Sequence, residues 1–95
     1  MIRHIVMWKF KEDKKEEMLV FRERLLALKD KIPEIREMEV GINIKPSERS
    51  FDAVLVSAFD SLEDLNSYSV NPLHVAVSDF CKTIRTQSAS VDYEF

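Results

Sequence analysis

Residues 53–59 read Ala-Val-Leu-Val-Ser-Ala-Phe, apolar at every position except Ser57. A strand of this composition lacks the polar face of a half-solvated sheet, so both of its sides must be covered. The polar stretch Pro46-Ser47-Glu48-Arg49-Ser50 supplies turn chemistry just before it and delivers a strand from Phe51 to Asp60. Upstream, residues 35–45 alternate, with Met38, Val40, Ile42 and Ile44 on one side and Glu37, Glu39, Gly41 and Asn43 on the other. Residues 2–10, Ile-Arg-His-Ile-Val-Met-Trp-Lys-Phe, form a further strand. Its even positions Ile2, His4, Val6, Trp8 and Phe10 share one face, while Arg3, Ile5, Met7 and Lys9 share the other.

Helices fill the gaps. Asp13 with Glu16 has the spacing of a capping box, and Met18, Phe21, Leu25, Leu28 and Ile32 form one apolar stripe that ends before Pro33. Ser61 with Asp64 caps a short helix carrying Leu62, Leu65 and Tyr68. Asn71-Pro72 restarts it, and the second piece presents Leu73, Val77, Phe80 and Ile84 and runs to about Arg85. A last strand, Ala89 to Phe95, places Ala89, Val91, Tyr93 and Phe95 opposite Ser88, Ser90, Asp92 and Glu94.

Strand, helix, strand, strand, helices, strand is the order of the split βαβ. With right-handed crossovers it predicts an α+β, ferredoxin-like sandwich: one domain over residues 1–95, with a four-stranded, mainly antiparallel sheet and helices on one face. The helices cover that face alone. Ile5, Met7, Val54, Val56 and Ala58 are left on the other, where an open apolar patch is a liability. A homodimer stacked sheet to sheet is the expectation.

Composition narrows what such a domain does. The chain has 95 residues and a net charge of -3, with one Gly and one Cys. A single glycine rules out the Gly-rich loops that cradle phosphates. The acidic balance, with basic residues interleaved among acids, argues against nucleic acid. One Cys allows neither an internal disulfide nor a multi-thiolate metal site, and two histidines with scattered carboxylates such as Asp64 and Asp79 show no recognised ligand spacing, so neither metal nor cofactor is expected. No apolar run approaches the roughly 20 residues of a membrane span, and the opening residues alternate like a strand where a signal peptide would be apolar. A cytoplasmic location with no membrane partner follows as the expectation.

Two histidines remain, His4 and His74. His4 shares a strand face with Val6 and Trp8; His74 lies in the first turn after Pro72, six residues beyond Tyr68. If all three point between sheet and helices, they form a polar cluster in an apolar pocket walled by Trp8, Phe21, Leu25, Leu55 and Phe59. An imidazole that titrates near neutrality and a phenol that hydrogen-bonds an oxygen suit proton abstraction beside a carbonyl. The bland reading is that these groups merely satisfy one another. Cys81, about 10 Å along the helix from His74, is too far to act with it and reads as core.

Residues 2–10, the Ile32-Pro33 helix end, Gly41 in the second strand and Tyr68-Ser69-Val70-Asn71-Pro72-Leu73-His74-Val75 together resemble the stress-responsive dimeric α/β barrel (Dabb) family. The resemblance spans nearly the whole chain. It implies ferredoxin-like protomers paired through their sheets into a barrel. Within the family, a plant cyclase closes a linear polyketide by aldol condensation with two histidines and a tyrosine that match His4, His74 and Tyr68. The sequence departs from the family where Asn71 stands in place of a common histidine, and Arg22 and Leu25 stand where the cyclase has aromatic residues. Two main functions stay open: a small-ligand binder or cofactor-independent acid/base enzyme, and a dimeric protective protein without chemistry. A haem- or metal-dependent oxygenase is the third and least favoured reading.

Overall fold

The computed structural model describes residues 1–95. Strands β1 (Ile2–Phe10), β2 (Glu37–Ile42), β3 (Ala53–Phe59) and β4 (Arg85–Glu94) form one sheet in the order β2-β3-β1-β4, every neighbouring pair antiparallel. Helices α1 (Lys15–Ala27), α2 (Leu62–Val70) and α3 (Pro72–Ile84) complete the ferredoxin-like fold. The expected apolar stripe is fully used although α1 stops at Ala27, short of Pro33: Met18, Phe21 and Leu25 on the helix, Leu28 in the 3-10 turn that follows and Ile32 beyond it are all buried, against Trp8, Phe10 and Leu55 of the sheet's inner face.

Local expectations fail where a distant partner wins. Asp13 and Glu16 form no capping box: a 3-10 turn, Glu12–Lys14, precedes α1, and Lys14 at its N-cap makes no side-chain hydrogen bond. The entry is held from outside the helix. Asp52 accepts the Phe10 amide at 2.8 Å and the Lys15 ammonium at 3.1 Å. Burial alone would raise the Asp52 carboxyl, but these two donors outweigh it and hold its pKa below the usual value. The second and third strands are shorter than expected, and Ile44 falls beyond β2, 94% exposed. Leu62 and Leu73 are also exposed, and Cys81 takes a place on the buried stripe of α3 with Val77 and Ile84.

The two short-range caps do form. Ser61 Oγ accepts the Asp64 amide at 3.1 Å, and Asn71 Oδ1 accepts the Leu73 amide at 2.9 Å. Pro72 at the start of α3 needs no amide partner.

The sheet's other face is less uniform than expected. Ala58 cannot offer contact surface: it is 0% exposed, and its cross-strand neighbours Arg3 and Glu37 pair at 3.6 Å. Arg3 also stacks on Phe95, 4.1 Å from the ring centroid. Ile5, Val54 and Val56 are partly open and Met7 is exposed. β4 adds Val91 and Tyr93, both exposed, to the same side. The apolar patch is therefore centred on β1, with β4 contributing as much as β3.

Candidate ligand pocket

Between the inner face of the sheet and the helices lies a cavity of about 330 Å³, within the range of small-molecule sites. Of the residues expected to wall it, Trp8, Phe21, Leu25 and Leu55 do so. Trp8 meets Phe21 edge to face at 5.0 Å, which fixes both rings. Phe59 is not part of the wall. Fully buried, it packs behind the polar cluster, 5.0 Å from the Tyr68 ring and 6.3 Å from that of His4.

His4, Tyr68 and His74 all line the cavity. Tyr68 stands between the imidazoles, its ring centroid 4.3 Å from that of His74 and 6.3 Å from that of His4. The Asn71-Pro72 restart is what brings Tyr68 and His74 together: Tyr68 lies in the last turn of α2, its carbonyl takes the Asn71 amide at 3.1 Å, and α3 turns His74 back toward the cavity.

The two imidazoles are held by different partners. His74 Nδ1 lies 3.0 Å from the Ser69 carbonyl oxygen. A carbonyl only accepts, so Nδ1 carries the proton and Nε2 of the neutral ring keeps its lone pair. Burial lowers the His74 pKa from its ordinary value; the Ser69 carbonyl opposes this, and the nearby His4 adds to it. His74 is thus neutral at neutral pH and able to accept a proton. His4 Nδ1 pairs with the carboxylate of Asp92, directly opposite it across β1 and β4. That His–Asp arrangement orients the ring. Ser57, itself fully buried, donates to the His4 carbonyl at 3.0 Å and pins the strand there.

Tyr68 is different again. It is 1% exposed, and its hydroxyl has no hydrogen-bond partner. Burial pushes its pKa far above the ordinary value, so the group is a neutral donor. Native proteins rarely leave such a group unsatisfied, since doing so costs about 1–3 kcal/mol.

Asp92 is the member of the cluster that the sequence did not reveal. Its alternation placed it on a face with Ser88 and Ser90, but only the β1–β4 register sets it opposite His4. Residues 2–95 match the Stress responsive A/B Barrel Domain, Dabb. The chain belongs to the Dabb family. Comparison with curated proteins finds no match. Among solved structures, the chain is similar to a dimeric Bacteroides fragilis protein of unknown function with a ferredoxin-like fold. The two share 40% identity over 99% of this chain and 95% of that one, with a TM-score of 0.87. A dimeric ferredoxin-like Thermobifida fusca protein, also of unknown function, matches at 19% identity over 99% and 90% of the chains, TM-score 0.88. Passiflora edulis hydroxynitrile lyase matches at 18% identity over 97% and 90%, TM-score 0.86. At such identities the last two show the shared fold alone. The Dabb family and these neighbours thus include both enzymes and proteins of unknown function.

Proposed function

We propose that this Dabb protein binds a small, largely apolar carbonyl compound in the cavity and moves a proton beside that carbonyl without a cofactor. The observation that carries the reading is Tyr68, its ring set between two imidazoles in the cavity wall and its hydroxyl buried without a partner. A ligand oxygen would satisfy it. His74 Nε2 takes a proton from the carbon next to the carbonyl, and the C–H electron pair moves into the enolate. The developing oxygen charge falls on the Tyr68 hydroxyl. His4, oriented by Asp92, holds the oxygen or a neighbouring hydroxyl. The enolate carbon then adds to a second carbonyl, whose oxygen takes the proton back from His74, as in a cyclase, or, where a double bond is conjugated with the enolate, the far carbon takes that proton, as in an isomerase. The same fold is used by a hydroxynitrile lyase, so it is compatible with an enzyme.

A thermal-shift screen of carbonyl ligands against wild type and His74→Ala tests this. Stabilisation by some ligand that is lost in the variant is the expected result. Hits indifferent to the substitution, or no hits, would favour the protective protein without chemistry.

The same reading includes a homodimer through the patch that carries Ile5, Met7, Val54 and Val56. The 40%-identical relative is dimeric, and an open apolar face in a chain this small gains by pairing.

A further inference from the structure

The far end of the cavity holds a charge that the proton-transfer chemistry does not use. Arg85 lines it, no Asp or Glu does, and so the guanidinium is the one fixed charge in the wall. Arg85 takes part in none of the chain's ion pairs. Its side chain makes one hydrogen bond, to Ser88 Oγ at 2.8 Å, out of five N–H donors. An unpaired guanidinium in the wall of an otherwise uncharged cavity, in a chain of net charge -3, is a site for an anion.

The backbone is built to aim it. Lys9 pairs with Gln87 but Phe10 pairs with Arg85, so Thr86 is an extra residue and β4 bulges there. Strict alternation would have turned Thr86 inward beside Phe10 and Arg85 away from it. The bulge reverses this and brings Arg85 to the helix side, a recognised use of bulges beside binding sites. A cation here also complements the C-terminus of α3, but that role needs neither the bulge nor the inward aim.

Two elements measure how far this charge lies from the polar cluster. Along α3, Cys81 follows His74 by seven residues, about 10 Å at ~1.5 Å per residue. Cys81 marks the Arg85 end: burial raises its thiol to about 11, while the Arg85 charge pulls the other way. Along β1, Trp8, which pairs with Ser88, follows His4 by four residues, about 13 Å at ~3.3 Å per residue. Apolar side chains, Trp8, Leu25 and Val77 among them, line the space between.

We propose that the ligand is an elongated oxo-acid: its carboxylate sits on Arg85 and Ser88, and its carbonyl, about 10 Å away, sits on Tyr68 and His74. The inference rests on the carbonyl-binding reading above and names its substrate class. Trp8, the only tryptophan, lines the cavity, so its fluorescence reports binding. Wild type, Arg85→Gln and Tyr68→Phe are titrated with 8-oxononanoate, the shorter 4-oxopentanoate and the neutral 2-nonanone. In wild type 8-oxononanoate binds about tenfold tighter than 2-nonanone, and 4-oxopentanoate shows no such gain. Arg85→Gln removes the difference and leaves 2-nonanone unchanged; Arg85→Lys restores part of it. Equal binding of the long acid and the ketone, or a loss on Arg85→Gln that affects both alike, overturns the oxo-acid proposal and leaves carbonyl binding standing. Arg85-dependent acid binding that is indifferent to Tyr68→Phe keeps the anion site but removes its carbonyl end, and with it the oxo-acid. If neither long probe binds, both readings fall.

Discussion

In the proposed site the hydroxyl of Tyr68 sets stability against function. It is buried and unpartnered, so Tyr68→Phe removes a cost rather than a bond. The variant should equal or exceed wild type in stability, by up to about 2 kcal/mol in urea unfolding, while carbonyl ligands bind more weakly. A clear loss of stability would mean that the hydroxyl has a partner. His74 gives a second residue-scale prediction. Its pKa is lowered in the folded chain, so the unfolded state binds a proton that the native state resists. The neutral ring's contribution is whole above about pH 6.5, the unfolded value, and falls as pH drops below it toward the lower native pKa. Thermal melts of wild type should lose stability across that window faster than those of His74→Gln; parallel pH profiles would contradict the cause assigned here. His4, Tyr68 and His74 were legible as a group because strand parity and helix spacing are local properties. Asp92 was not, because it meets His4 only through a pairing that joins the two ends of the chain.

Elements hold these residues at set distances, and α3 matters most. Asn71 caps it at the end that carries His74, so Asn71→Ala should cost about 1 kcal/mol in chemical denaturation and weaken ligand binding. Asn71→Asp or Asn71→Ser should keep both, and an Asn71→Ala variant with wild-type stability would show that Pro72 alone fixes the helix start. The caps on Ser61 and Asn71 could be read from sequence because donor and acceptor lie two or three residues apart. The Asp13 capping box was misread for the opposite reason: Asp52, reached through the sheet, holds the Phe10 amide and Lys15. β4 likewise begins at Arg85, four residues earlier than Ala89. Arg85-Thr86-Gln87-Ser88 has no apolar alternation to signal a strand, and the bulge that turns Arg85 inward exists only in the pairing with β1.

At the scale of the whole molecule, the two faces of the sheet differ in what they present, a lined cavity on one and an open apolar patch on the other. The strand order was legible because the alternation of β and α segments allows few right-handed topologies, and the doubly apolar strands marked the second face. What covers Ala58 was not legible, since Arg3 and Glu37 meet above it only once three strands are in register. In the proposed homodimer the pairing surface is accordingly Met7, Val91 and their partly open neighbours. Met7→Lys with Val91→Lys should yield monomers in sedimentation at micromolar concentration; an unchanged dimer would place the interface elsewhere. On the inner face, His74 is proposed to move a proton beside a carbonyl held on Tyr68. Exchange of the α-protons of 2-nonanone in D2O, followed by proton NMR, reads that step itself. Exchange well above that of an equal concentration of free imidazole is expected, lost in His74→Ala and reduced in Tyr68→Phe. Exchange no faster than free imidazole, or unchanged in His74→Ala, would mean that His74 moves no such proton.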